Sequence, residues 1–162
     1  MDDLLHLARR MMLHAHAPYS KFHVGAAVRG EDGSIHGGCN VENAAYPQGL
    51  CAEASAIAAL VAAGHKRVLE CVVIGPGPEV ITPCGGCRQK LREFASDDLP
   101  IHLCGPDGLH RTVTLGLGNL ARYNKLMPKA RRSIVEVTLP GFFGMSVAEE
   151  CSYLPRGRNF HQ

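Results

Sequence analysis

Two short cysteine segments, Cys51-Ala52-Glu53 and Pro83-Cys84-Gly85-Gly86-Cys87, constrain the fold of this chain more than any other feature. If Cys51, Cys84 and Cys87 converge on one metal ion, the two segments must meet side by side although 32 residues separate Cys51 from Cys84. The intervening stretch reads as one helix and one strand, a return long enough to bring two helix starts together. Three thiolates leave one corner of a tetrahedral zinc free, and an open position separates a catalytic zinc from a structural one. Glu53, two residues after the first cysteine, is then available to move protons to and from whatever the metal activates.

In both segments a strand or loop ends and a helix begins at or just after the cysteine. Helix N-termini offer unpaired N–H groups and a positive dipole end, and both favour thiolate over thiol. This matters because three thiolates outweigh Zn²⁺ by one negative charge, so the site needs compensation to make a water nucleophilic. A bare Cys-x-x-Cys is a weak signal, shared by redox motifs and zinc knuckles; joined to Cys-Ala-Glu it is a strong one. Cys39, Cys71, Cys104 and Cys151 read as small buried hydrophobes, and none of the nine histidines stands in a metal-binding spacing.

Seven cysteines in 162 residues could suggest a secreted disulfide scaffold, but with 46% hydrophobic residues the chain has core enough without one. A reducing compartment with metal-binding cysteines fits better. Met1-Asp2-Asp3 opens with acids and reaches Arg9-Arg10 afterwards, the wrong order for a secretory signal, and no apolar stretch approaches membrane-spanning length. The expected location is the cytoplasm. Residues 1–116 hold 10 Lys and Arg against 12 Asp and Glu, whereas residues 117–162 hold 7 against 3. The part that carries the cysteines therefore lacks the basic face that nucleic acid requires.

Hydrophobic periodicity predicts an amphipathic helix over residues 2–15, broken by Ala17-Pro18-Tyr19-Ser20. Phe22 to Arg29 and Ser34 to Cys39 read as strands of a hairpin turning through Glu31-Asp32-Gly33. After a polar loop, Asn40 to Gly49, the alanine-rich run from Cys51 is helix-forming up to Gly64. Cys71 to Ile74 is uniformly apolar, as a strand covered on both faces should be. A helix over about Gly85 to Ala95, a strand over Leu99 to Cys104 and a short strand at Val113 to Leu115 complete a mixed α/β layer arrangement.

Four segments in order, Phe22-His23-Val24-Gly25-Ala26-Ala27, Gly38-Cys39-Asn40-Val41-Glu42-Asn43-Ala44, Cys51-Ala52-Glu53 and Pro83-Cys84-Gly85-Gly86-Cys87-Arg88-Gln89, resemble the cytidine deaminase family in its small homotetrameric form. The likeness covers residues from about 1 to 116. It implies a three-layer α-β-α fold with a mixed central sheet, and hydrolytic deamination of cytidine, with deoxycytidine, in pyrimidine salvage. By the same resemblance Cys51, Cys84 and Cys87 hold zinc, which activates a water to attack C4 of the pyrimidine, and Glu53 shuttles its proton. Asn40 and Glu42 match the pair that bonds the ribose hydroxyls, Phe22 the aromatic that packs on the base, and Ala52 a position whose backbone contacts the base. An Asn-x-Glu after a strand also puts two polar side chains on one side, although such a turn can equally satisfy its own backbone. On pattern alone, Phe22 is equally a core strand residue.

This chain departs from the family pattern in two places. Many members carry Arg directly after the Glu, where it neutralises thiolate charge; here Ala54 stands, so Arg88 or the two helix dipoles must do more. After Thr114-Leu115-Gly116 the family-like turn and terminal aromatic are missing. Residues 117–162 instead form a C-terminal segment of unassigned role, with a basic helical stretch near 121–132, a strand-like 133–139 and the pair Phe142-Phe143. The competing functions are a deaminase of nucleoside antibiotics, one acting on bases within RNA or DNA, and a non-catalytic zinc-stabilised binding module. Asn40-Val41-Glu42-Asn43 favours a free ribonucleoside as substrate, without nucleic-acid or membrane partners.

Overall fold

The computed structural model describes residues 1–116, so Cys151, Phe142-Phe143 and the expected elements at 121–132 and 133–139 lie outside the described residues. The elements are α1 (Asp2–Leu13), β1 (Gly25–Gly30), β2 (Ile35–Cys39), a 3₁₀ turn (Tyr46–Gln48), α2 (Ala52–Ala62), β3 (Val68–Ile74), α3 (Gly85–Phe94), β4 (Pro100–Gly105) and β5 (Gly108–Thr114). One five-stranded sheet runs β2-β1-β3-β4-β5. Its pairs are antiparallel except β3 with β4. A parallel pair cannot be joined by a tight turn, and α3 serves as its crossover.

The sheet is the middle of three layers, as the strand β3 makes plain. Side chains alternate across a strand, so its apolar run supplies two cores at once. Cys71 and Val73 join Ala52, Ala56, Ile57 and Leu60 of α2 and Leu91 of α3 on one side. Val72 and Ile74 join Leu4 and Ala8 of α1 on the other. Cys71 and Cys104 are buried in these cores as expected, whereas Cys39 is half-buried. α2 comes so near β2 that a Cβ on Gly38 would lie 2.3 Å from the Ala56 nitrogen. Its far end closes in a Schellman motif, with His65 N–H on the Leu60 carbonyl and Gly64, at φ +95°, in the left-handed region.

Three strand boundaries differ from expectation by three residues or more, and one of them is the start of β3, at Val68 rather than Cys71. The first strand begins at Gly25 rather than Phe22. The Asn40 side chain takes the Val24 N–H at 2.8 Å and donates to the Phe22 carbonyl at 2.9 Å, so these backbone groups are satisfied without a ladder. The last strand is longer than Val113 to Leu115, running over Gly108–Thr114 from a turn at Pro106-Asp107. Its residues are largely polar and partly exposed because β5 is an edge, and an edge strand shows little apolar alternation. Among the described residues no helix is long and apolar enough to cross a membrane.

Candidate active site

Cys51 and Cys84 are the N-cap residues of α2 and α3, and Cys87 lies in the first turn of α3. Both caps have extended backbone, and the Cys84 sulfur accepts from the Cys87 N–H across the mouth of α3. The three sulfurs lie within 4.8 Å of one another, with Cys51 Sγ and Cys84 Sγ 3.9 Å apart. Zn–S bonds of ~2.3 Å in a tetrahedron place sulfurs about 3.8 Å apart, so the donor set fits zinc after small adjustments. The separation is also about twice a disulfide bond, and all three cysteines are free.

The electrostatics argue for a cation at the same spot. Burial raises the Cys51 thiol pKa, and the Cys84 charge adds to it. Burial, then Glu53 and the other two sulfurs, raise that of Cys87 far above the ordinary thiol range. Burial also opposes ionisation of Cys84, but the Cys87 N–H reaches its sulfur at 3.4 Å, and with further bonds from the neighbouring thiols its pKa falls below the usual value. Three crowded sulfurs beside a carboxylate repel one another once ionised, and a dication is what relieves them.

Glu53 sits in the first turn of α2 and is only 5% exposed. Its Oε2 accepts from Cys87 Sγ at 3.3 Å. Burial raises its pKa, opposed by backbone and Cys87 hydrogen bonds and by the charge of Lys90. A carboxyl group drawn towards its neutral form, next to a metal-binding cluster, is suited to proton exchange.

Phe22, Asn40, Glu42, Cys51, Ala52, Glu53 and Cys84 all line one cleft of about 920 Å³, of a size that takes a small organic ligand. Cys87 is buried behind it. Phe22 is 43% exposed and precedes β1, which removes the reading of it as a core strand residue. Ala52 is fully buried at the start of α2. Asn40 uses its amide to hold residues 22–24, and Glu42 accepts from the Tyr19 and Ser20 N–H groups at 2.9 and 3.2 Å and from the Ser20 hydroxyl. The pair therefore faces the cleft and also braces its own rim. Ala54 is buried on α2 and is not part of the cleft lining.

Sequence reasoning missed Tyr19, Ser20, Tyr46, Ile81 and Thr82, which also line the cleft. Tyr19 and Ser20 were legible only as a helix breaker. Nothing local marked Ile81 and Thr82, which reach the cleft because they lead into the Cys84 turn.

Residues 1–103 match the family model of the cytidine and deoxycytidylate deaminase zinc-binding region. A cytidine deaminase of Sporosarcina psychrophila is 37% identical over 108 residues, 67% of this chain and 79% of that protein. The crystal structure of cytidine deaminase from Burkholderia pseudomallei is similar with a TM-score of 0.67 at 38% identity, covering 71% of this chain and 92% of that one. That of cytidine deaminase from Mycobacterium tuberculosis gives 0.65 at 37%, covering 74% and 94%.

Proposed function

The chain belongs to the cytidine and deoxycytidylate deaminase family, and from that premise we propose that it converts cytidine, and deoxycytidine, to uridine or deoxyuridine and ammonia with water as co-substrate. The observation that carries this reading is the convergence of Cys51, Cys84 and Cys87 within 4.8 Å, with the Glu53 carboxylate in contact with Cys87, where Cys51, Glu53 and Cys84 line a nucleoside-sized cleft. The three cysteines hold zinc. Bound there, zinc supplies the Lewis acidity that makes a water nucleophilic near neutral pH. In zinc deaminases generally, a glutamate that is not a ligand does the proton transfers. Here that residue is Glu53, which takes the water's proton, gives it to N3 of the pyrimidine as C4 is attacked, and later helps protonate the departing amine.

Phe22 packs on the base, the backbone at Ala52 contacts it, and Asn40 and Glu42 bond the ribose hydroxyls. Glu42 has the capacity for this because its bonds to Tyr19 and Ser20 do not exhaust the acceptor sites of a carboxylate. Residues 1–116 form the catalytic domain, residues 117–162 are a C-terminal segment that departs from the family pattern, and the protein acts in the cytoplasm in pyrimidine salvage. By its resemblance to the small homotetrameric members the protein assembles as a homotetramer, and exposed Tyr19, Phe22, Val41, Tyr46 and Leu50 around the cleft are apolar surface that such assembly can cover.

An ultraviolet assay of cytidine, deoxycytidine and cytosine, run beside metal analysis, tests the reading. Turnover of both nucleosides with about one zinc per chain is expected. No cytidine turnover at full zinc occupancy overturns it.

A further inference from the structure

We infer that Ser20 is a positioning residue that sets the aim of Glu42, and through it the selection of a substrate carrying sugar hydroxyls. Glu42 is tied to the loop after α1 at both of its carboxylate oxygens. The Tyr19 and Ser20 N–H groups donate to Oε2 at 2.9 and 3.2 Å, and the Ser20 hydroxyl donates to Oε1. The direction of that last bond is settled by what the hydroxyl receives. Ser20 Oγ accepts the Phe22 N–H at 3.0 Å, and an ionised carboxylate can only accept, so the single hydroxyl proton goes to Glu42.

The hydroxyl does what the two N–H groups cannot. Rotation about the last bond of a glutamate side chain is broad, so donors on Oε2 alone leave Oε1 free to swing about that anchor. A second anchor on Oε1 fixes the plane of the remaining acceptor sites, at the wall of the cleft that Glu42 and Ser20 both line. The same bond keeps the carboxyl charged. It leads the contacts that hold Glu42 below the ordinary glutamate pKa, against some desolvation. Ser20 is itself held in place. Lys21 beside it has φ +58°, a left-handed backbone that non-glycine residues seldom adopt, with its N–H on the Ala17 carbonyl at 3.1 Å. Such a conformation persists where surrounding contacts over-determine it. Here the Phe22 N–H turns back onto the Ser20 hydroxyl while the Asn40 amide takes the Phe22 carbonyl. Ser20 acts through Glu42 rather than on the substrate.

The inference rests on the reading of Glu42 as a partner of the ribose hydroxyls, and the test separates the two. For the intact protein, kcat/KM is measured on cytidine and on 2′,3′-dideoxycytidine, which lacks both ring hydroxyls. The proteins are the wild type, Ser20→Ala, Ser20→Thr, Glu42→Ala and the double variant Ser20→Ala with Glu42→Ala, with a thermal melt of each. The ratio of the two kcat/KM values isolates the sugar contact, because a disturbed Phe22 affects both substrates alike. Ser20→Ala should lower that ratio roughly tenfold, the worth of a hydrogen bond to a charged group. The loss should lie in KM, because Ser20 meets no reacting atom. Ser20→Thr should stay within about threefold of the wild type, since it keeps the hydroxyl and its bond. In the Glu42→Ala background, Ser20→Ala should change the ratio by less than about twofold, because its target is gone. An unchanged ratio in Ser20→Ala overturns the inference, as does a loss that Thr fails to rescue or that persists without Glu42. A ratio unchanged in Glu42→Ala itself overturns the ribose reading of Glu42, and the inference with it.

Discussion

Glu53 occupies a place where a carboxylate is drawn towards neutrality, 5% exposed and in contact with a cysteine sulfur. Glu53→Gln keeps the shape and the acceptor while removing the proton carrier. We expect it to bind zinc as the wild type does and to lose kcat by between about 100-fold and 10,000-fold, the usual worth of a positioned acid–base. Metal analysis with the ultraviolet assay checks both halves; a variant with wild-type turnover removes Glu53 from the mechanism. A second comparison concerns the arginines of α3. Arg88 directly follows Cys87 and its side chain is half-buried beside the cysteine cluster's helix turn. Arg92 faces Asp97 and the Ala95 carbonyl at the other end of the helix. Arg88→Ala should therefore lower kcat more than Arg92→Ala, and equal small effects in steady-state assays would sink that expectation.

At the scale of elements, the site depends on how closely α2 lies on β2. The start of α2 carries Cys51 and Glu53, and Gly38 is what lets the helix approach. A Cβ on Gly38 would lie 2.3 Å from the Ala56 nitrogen and 2.5 Å from the Ala52 carbonyl oxygen, both backbone atoms that cannot rotate away. Gly38→Ala should cost about 1–3 kcal/mol of stability, as overpacking does, and also weaken zinc binding, because α2 must shift relative to α3. A thermal melt and a zinc titration read the two effects. Loss of stability with unchanged zinc affinity would show that α2 can move without disturbing Cys51.

For the whole molecule, acid sensitivity follows from a charged cluster far from the cleft. Arg29 on β1 bonds Glu70 on β3 at 2.9 Å and Asp3 on α1 at 2.8 Å, and His102 on β4 meets Glu70 at 3.1 Å. Partial burial pushes the Glu70 carboxyl up, but the Arg29 bond, the N-terminal ammonium and His102 pull it below the ordinary glutamate value. The Arg29 and Leu4 bonds hold Asp3 well below its usual range. Carboxyls depressed in the folded state contribute stability above their unfolded pKa values and lose it as pH falls through the folded ones. The melting temperature should therefore fall below about pH 4.5, the ordinary glutamate value. Arg29→Met should melt lower at pH 7 and show a shallower fall in acid. Parallel curves for the two proteins would remove this cluster from the explanation.

The amino-acid sequence by itself determined the three sulfurs, the carboxylate, the helix starts that carry them and the α/β layer order. These are local matters of residue type, spacing and periodicity, and each element's own backbone enforces them. Tertiary structure alone decided that Phe22 leaves the strand to face the cleft, because the amide of Asn40, just after β2, takes up the backbone groups around it. It likewise decided that Glu42 latches residues 19 and 20 and that β5 extends as a polar edge beside β4. Those features depend on which atoms of separate segments come within hydrogen-bonding or Coulombic reach, and only the packed chain sets those distances.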